Sequence, residues 1–169
     1  MKRFVAGLAL ASAALLSGCA APRSGLVLAP VGPSVSESAP ITSPCTLVVF
    51  SAYDPLAHFN RLPERYVFTD YTILSDNGQL LQKVQNDRGG LLGEPKPVEL
   101  SPGRYRVVAR ANGYGTVTVP VVIVAHQTTR VHLEGANGEA RSAEAIPAAQ
   151  TVRLPRGEFV GLRAPDSPF

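Results

Sequence analysis

Alternation of apolar and polar residues is clearest in the second half of the chain. Between Arg104 and Ala111 the residues fall into two interleaved sets. One set is apolar or aromatic and comprises Tyr105, Val107 and Ala109. The other comprises Arg104, Arg106, Val108 and Arg110. Because successive side chains of a β-strand point to opposite faces, this run predicts a strand with one buried and one solvent-facing side.

Two further alternating runs follow, from Thr116 to Val124 and from Thr128 to Leu133. A turn sequence, Asn112-Gly113-Tyr114-Gly115, precedes the first of them. Pro120 lies inside that first run and has no backbone N–H to donate to a neighbouring strand. We therefore expect this strand to lie at a sheet edge or to carry a bulge at Pro120.

The first half of the chain contains shorter β-type runs. Leu47–Tyr53 and Tyr66–Leu74 are rich in aromatic and β-branched residues, which favour strands. Asn77-Gly78 is a typical two-residue hairpin turn and predicts that Tyr66–Leu74 pairs with Gln79–Gln85. Short strands separated by turns, without a helical stripe, predict an all-β protein with an antiparallel β-sandwich.

The segments that flank this pattern have a different composition. Residues 19–44 are rich in Pro and Ser and poor in charge, which predicts a disordered, extended tether. Residues 45–135 form the predicted sandwich domain. Residues 136–169 are predicted to be a linker and C-terminal segment, in which Phe159–Leu162 is either a last strand or a docking segment.

Residues 1–18 have the pattern of a secretory signal peptide. Lys2-Arg3 provides a positive start, and the apolar stretch from Phe4 to Leu16 is too short to span a bilayer permanently. The sequence Leu16-Ser17-Gly18-Cys19 that follows closely resembles the lipobox of bacterial lipoproteins. The resemblance implies cleavage between Gly18 and Cys19 and attachment of acyl chains, palmitate among them, to Cys19.

The same resemblance implies a location in the cell envelope, with the membrane as a partner through the covalent lipid. Ala20 is not the Asp that signals inner-membrane retention in lipoproteins of the enterobacterial type. The resemblance therefore implies outer-membrane anchoring, on either its periplasmic or its surface face.

A second resemblance covers residues 98–133. The run from Val98 to Val107, with Ser101-Pro102-Gly103 at its turn, and the later Asn112-Gly113-Tyr114 are similar to PEGA and carboxypeptidase-regulatory-like domains. These domains imply a prealbumin-like or immunoglobulin-like sandwich that acts as an accessory module and not as a catalyst. The Pro-x-Gly-Ala opening and the PEGA tetrapeptide themselves do not occur in this chain.

Charge and cysteine content narrow the function classes. Lys2 and Arg3 belong to the predicted signal peptide, so 14 of the 16 basic residues remain to face 13 acidic ones. This small surplus argues against nucleic acid as a partner. With Cys19 acylated, Cys45 has no partner within the chain, and we predict a buried, unreactive thiol there, with pairing between chains as the alternative.

The sequence contains no motif for catalysis, a metal or a cofactor. We interpret His58, His126 and His132 as surface residues, because no two of them have the spacing of ligands on one element. The carboxylates are scattered among turns and strand edges, and no Gly-x-Ser-x-Gly or phosphate-loop sequence occurs. We therefore predict a protein that is not an enzyme.

The predicted outer face that carries Arg104, Arg106 and Arg110 is the main candidate for binding. Guanidinium groups can grip an acidic polymer or a carboxylate-bearing partner. The alternative is an ordinary solvated face whose arginines pair with Glu99 or other strand carboxylates. The five tyrosines offer a weak additional platform for sugars, although we expect Tyr105 to belong to the core.

Two functions remain open on sequence grounds. The first is a lipid-anchored, non-catalytic envelope lipoprotein that acts as a structural or protein-interaction module. The alternative is a binding module for glycan or an anionic envelope polymer, using an arginine and tyrosine sheet face. The sequence leaves the oligomeric state open.

Overall fold

The computed structural model describes residues 25–33, 44–53, 67–86, 95–135 and 146–165 of the 169-residue chain. These residues form eleven strands and one short 3₁₀ turn, Ala148–Gln150. The strands are β1 (Leu26–Val27), β2 (Val31–Gly32), β3 (Thr46–Phe50), β4 (Tyr71–Ser75), β5 (Leu80–Val84), β6 (Val98–Glu99), β7 (Gly103–Ala111), β8 (Gly115–Ile123), β9 (Thr128–His132), β10 (Thr151–Arg153) and β11 (Phe159–Arg163). The predicted all-β class is confirmed.

Within the described residues the strands make two sheets. The larger sheet has the order β10-β11-β2-β8-β7-β4-β5, with β1 also paired to β8, and the smaller has the order β6-β3-β9. Most pairings are antiparallel, as predicted, but β1 and β2 run parallel to β8, and β3 runs parallel to β9. The two sheets pack face to face and enclose one core.

The core is built from the inward-facing positions of both sheets. Leu47 and Val49 of β3 and Val131 of β9 meet Val107 of β7 and Val119 of β8, and all five are fully buried. Burial of such side chains contributes about 1.5–3 kcal/mol each, so these contacts are the main stabilising force. The alternation predicted for the two long strands, with Val107, Ala109 and Val119 inward, is confirmed.

The predicted hairpins are present. The amide of Ser75 donates to the carbonyl of Gln79 at 2.8 Å, and β4 pairs antiparallel with β5. The longest pair, β7 with β8, keeps one register from Gly103↔Ile123 to Ala111↔Gly115. Because β7 and β8 are neighbours in sequence and in space, their turn positions them with little loss of chain entropy.

The expectation that Pro120 marks an edge or a bulge is wrong. β8 lies between β7 and β2, and its register with β7 is continuous past Arg106↔Pro120. The carbonyl of Thr118 accepts the amide of Leu28, so the backbone of Pro120, two residues on, faces the same N-terminal segment. The register partners in that segment are interrupted there, between Val27↔Thr118 and Val31↔Val121, so Pro120 lies where β8 has no ladder partner on that side.

The predicted tether is wrong for residues 25–33. β1 pairs with β8, and β2 lies between β8 and β11, where Val31 is fully buried. The Pro- and Ser-rich composition of residues 19–44 predicts a segment that cannot bury enough apolar surface by itself. The larger sheet provides the partner strands that allow residues 25–33 to do so. Of the predicted tether, 19–44, the structure describes only residues 25–33 and 44. The rest of this prediction lies outside the described residues.

The sandwich likewise extends past the predicted boundary at residue 135. Phe159–Leu162, predicted as a last strand or a docking segment, belongs to strand β11, and β10 pairs with it antiparallel. Val152 and Val160 of these strands are buried in the same core. The described sheet is therefore assembled from both flanks of the chain as well as from its middle.

Candidate functional site

β7 places the predicted arginine row on the solvent-facing side of the larger sheet. Arg104, Arg106 and Arg110 are exposed, whereas Val107 and Ala109, on the other side of the strand, are buried. The predicted grouping of the three arginines on one face is therefore confirmed. Arg104 and Arg110 are six residues apart, which is about 20 Å along a strand.

The three arginines do not have equal surroundings. A guanidinium nitrogen of Arg106 lies 3.9 Å from a carboxylate oxygen of Asp76, and both side chains are largely exposed. Such a pair contributes little to stability, but it neutralises Arg106 locally. Within the described part of the chain, Arg104 and Arg110 make no ion pair, and Glu99, the partner considered from sequence, does not neutralise the row.

Two of the tyrosines lie on the other side of the sheet. Tyr105 alternates with the arginines on β7, and its hydroxyl donates to the carbonyl of Ser101 at 2.9 Å. Tyr71 is only 3% exposed and belongs to the core. The expectation that Tyr105 belongs to the core is confirmed, because it packs against the core cluster. A shared arginine and tyrosine face is wrong for Tyr71, because strand alternation sends it to the opposite side of the sheet.

A shallow depression of about 310 Å³ lies at the Arg110 end of the row. It is lined by side chains and backbone of β4, β5, β7 and β8, among them Thr72, Lys83, Val108, Arg110 and Thr116. The register Lys83↔Thr72↔Val108 brings β5 across β4 to β7. Lys83 is exposed and, like Arg110, makes no ion pair within the described residues.

Lys83 was not selected from the sequence. It lies 21 positions before Arg104, on a strand separated from β7 by β4, so only the sheet order reveals that it shares a depression with Arg110. Asp70 also lines the depression, and its Oδ1 accepts the backbone amide of Asn86 at 3.1 Å. The charged lining is therefore two cations and one carboxylate, and this carboxylate is already engaged by an amide.

His132 contradicts the interpretation of a surface histidine. It is 4% exposed, and its Nδ1 lies 2.8 Å from Oε1 of Glu134, which is equally buried. The imidazole stacks on Phe50 at a centroid distance of 4.5 Å and also contacts Phe159. Phe50 is the register partner of His132 on β3, and Phe159 belongs to β11. Rings from two other strands therefore contact the imidazole.

The His132–Glu134 pair is not part of the depression at Arg110, which is lined by other residues. Nδ1 of His132 is hydrogen-bonded to Glu134, and Oε2 of Glu134 is buried without a hydrogen-bond partner among the described residues.

Asn86 is the other buried polar residue with several partners. Its amide nitrogen donates to the carbonyl of Val49 at 2.9 Å and to Oγ of Ser51, and its Oδ1 accepts the amide of Lys96. β6 pairs with β3 only at Thr46 and Leu47, so the Asn86 side chain replaces the missing strand beside Val49. This network joins the end of β5 to the smaller sheet.

The remaining sequence predictions fall at other positions. His126 is exposed at its turn, and Cys45 is a free, half-buried thiol. Gly18, Cys19 and His58 lie outside the described residues. Among the residues that are described, no group of three or more His, Cys, Asp or Glu side chains is arranged to hold a metal ion.

Across the described ranges, the chain forms no helix with the length and hydropathy needed to cross a bilayer.

Comparison with known proteins adds no assignment. The chain matches no family model, no curated protein and no solved structure.

Proposed function

We propose that the protein is a lipid-anchored envelope lipoprotein whose β-sandwich acts without catalysis as a structural or protein-interaction module. The observation that carries this proposal is Leu16-Ser17-Gly18-Cys19, which follows Lys2-Arg3 and a short apolar stretch. The resemblance to the PEGA and carboxypeptidase-regulatory-like domains supports the accessory role. So does the described site, which presents exposed cations on one sheet face.

Anchoring through Cys19 is physically sufficient for stable attachment. One acyl chain of myristoyl length binds a membrane only marginally, and each buried methylene contributes about 0.8 kcal/mol. The lipobox resemblance implies three acyl chains on Cys19. With three acyl chains, the equilibrium between membrane-bound and free protein lies far toward the membrane-bound form. The outer membrane is the proposed destination, because Ala20 follows the acylated cysteine.

The test of anchoring compares the two cysteines of the chain. Metabolic labelling with radioactive palmitate should label the wild-type protein and the Cys45→Ser variant equally. The Cys19→Ser variant should lose the label and accumulate as a precursor that retains residues 1–18. Label that persists in Cys19→Ser, or an unmodified thiol at Cys19 in mass spectrometry of the mature protein, would contradict the proposal.

The membrane of residence has its own test. The wild-type protein should fractionate with the outer membrane on a density gradient, and Ala20→Asp should shift it to the inner membrane in a host of the enterobacterial type. An unchanged distribution would contradict the proposed sorting while leaving the lipid anchor intact.

A second candidate function is the binding of glycan or an anionic envelope polymer by the arginine face. The observation that favours it is the exposure of Arg104 and Arg110 on one sheet face without ion pairs in the described region. On a glycan array, the chain of residues 19–169 should then bind acidic glycans saturably, and Arg104→Ala and Arg110→Ala should weaken binding at least ten-fold. Equal binding of neutral and acidic glycans would count against this function. Isolation of one envelope protein in a stoichiometric complex with the acylated chain would favour the structural or protein-interaction module.

A further inference from the structure

The path of the chain at Gly25 indicates which end of the sandwich lies nearest Cys19. A Cβ on Gly25 would lie 2.8 Å from the carbonyl oxygen of Thr116, and the next residues pair as Leu26↔Val117 and Val27↔Thr118. Because β1 runs parallel to β8, the chain enters the sheet at the end where β8 begins. Arg110 is the register partner of Thr116, so it lies at this same end.

The distance from Cys19 to this end is short. Gly25 follows Cys19 by six residues. A fully extended chain spans at most about 3.6 Å per residue, so the two Cα atoms are within about 22 Å of each other. Cys19 is therefore tethered within this distance of the Thr116 end of β8, whereas the opposite end, where Gly103 pairs with Ile123, lies about 23 Å farther along the strand.

Two exposed cations of this sheet face lie at the near end and make no ion pair within the described residues. Lys83 and Arg110 line the 310 Å³ depression together with Thr72 and Thr116, whose hydroxyls can donate hydrogen bonds. Arg106 is paired with Asp76 and lies farther along β7. Arg104 lies about 20 Å from Arg110, beside Val122 at the far end.

We propose that Lys83 and Arg110 form a phosphate-binding surface that docks this end of the sandwich onto the lipid headgroups of the membrane that holds Cys19. The proposal rests on the lipid anchor proposed above. Guanidinium groups bind phosphate oxygens through two parallel N–H bonds, and lysine adds a compact charge. Basic residues close to an anionic membrane surface contribute about 1 kcal/mol each, which corresponds to a change of about five-fold in partitioning.

The vesicle test separates this surface from the anchor. The chain of residues 19–169 carrying Cys19→Ser, which cannot be acylated, is sedimented at low salt with vesicles of phosphatidylcholine containing one-third phosphatidylglycerol. It should bind these vesicles and not vesicles of phosphatidylcholine alone. Lys83→Gln and Arg110→Gln should each weaken partitioning about five-fold.

Arg104→Gln is the matched control, because it removes one exposed positive charge from the same face at the far end. It should change partitioning by less than two-fold. An equal loss of vesicle binding in all three variants would mean that net charge alone attracts the protein, and this would overturn the proposal. Absence of vesicle binding by the parent Cys19→Ser chain would overturn it as well. Binding of polygalacturonate without vesicle binding would assign the depression to an acidic glycan and overturn the lipid assignment.

A second measurement uses the acylated protein in vesicles. In a Cys45→Ser background, a fluorophore attached at Gln85→Cys, beside the depression, should be quenched by spin-labelled headgroups, and one at Ser101→Cys, at the far end, should not. Equal quenching at both positions would overturn the docked orientation. Loss of palmitate on Cys19 is scored separately by labelling, so failure of the anchor and failure of the docking surface are distinguishable.

Discussion

Tyr71 combines deep burial with an unsatisfied hydroxyl. The residue is 3% exposed, and its hydroxyl has no hydrogen-bond partner among the residues that the structure describes. Burial disfavours the phenolate and raises the pKa of Tyr71 well above its ordinary value of 10.0. A buried polar atom without a partner costs about 1–3 kcal/mol, so this core position carries a local penalty.

Tyr71→Phe is therefore expected to raise the free energy of unfolding by about 1 kcal/mol at neutral pH. In the wild-type protein, the unfolded chain loses the Tyr71 proton above pH 10 while the folded chain retains it. The contribution of the neutral tyrosine to stability is thus complete below pH 10 and declines by about 1.4 kcal/mol per pH unit above it. Urea titrations of both proteins at pH 8 and pH 11 should show the advantage of the variant growing with pH.

Tyr105→Phe is the comparison for this experiment. The Tyr105 hydroxyl has a partner, the carbonyl of Ser101, so its removal should lower stability by about 0.5–1 kcal/mol. A destabilised Tyr71→Phe variant would show that the Tyr71 hydroxyl is satisfied in solution.

At the scale of single elements, β11 depends on a glycine. A Cβ at Gly161 would lie 2.6 Å from a methyl group of Val31 in β2 and 2.9 Å from the carbonyl oxygen of Arg130 in β9. The second contact is with backbone, which cannot rotate away. Gly161 therefore allows β11 to approach both sheets closely.

Gly161→Ala is expected to destabilise the protein by about 1–3 kcal/mol through overpacking. Shortening the neighbour in Val31→Ala should relieve part of this strain, so the double variant should lose less stability than the sum of the two single variants. Val84→Ala, in the distant strand β5, should add to Gly161→Ala within about 0.5 kcal/mol. Chemical denaturation of the set measures all these terms, and a neutral Gly161→Ala would contradict the close packing.

Local patterns predicted the elements that depend on neighbours in sequence. The alternation around Val107 and the turns at Asn77-Gly78 and Gly113 were sufficient for β4, β5, β7 and β8. β1 and β2 have two residues each and no periodicity, so only their partner β8 makes them strands. His132 was misassigned for a related reason, because the ring that helps cover it, Phe159, comes 27 residues later.

The candidate site was predictable to the same extent. One strand sufficed to group the three arginines, because alternation is a property of that strand alone. The pairing of Arg106 with Asp76 and the approach of Lys83 to Arg110 depend on how β4 and β5 align beside β7. Those registers are non-local, and the sequence contains no signal for them.

At the scale of the whole molecule, both flanks are required for the sandwich. A chain of residues 45–135 lacks four buried side chains of the core: Val31, Val152, Leu154 and Val160. Their loss removes about 6–12 kcal/mol of apolar burial, which is comparable with the whole stability of a domain. We expect this fragment to show no cooperative thermal transition by circular dichroism.

A chain of residues 25–165 contains every described strand and is the control for this truncation. Its midpoint should lie within a few degrees of that of residues 19–169. A cooperative transition in residues 45–135 would show that β1, β2, β10 and β11 are accessory to the fold.

The pairing of Gly32 with Leu162 and of Val31 with Arg163 has a consequence for the order of events during synthesis. Leu162 lies 130 positions after Gly32, so β2 gains this neighbour only after strands β3 to β10 have been synthesised. Until the chain has been made past Arg163, the outer side of β2 has no partner. Closure of the larger sheet at β2 is thus among the last pairings that a growing chain can make.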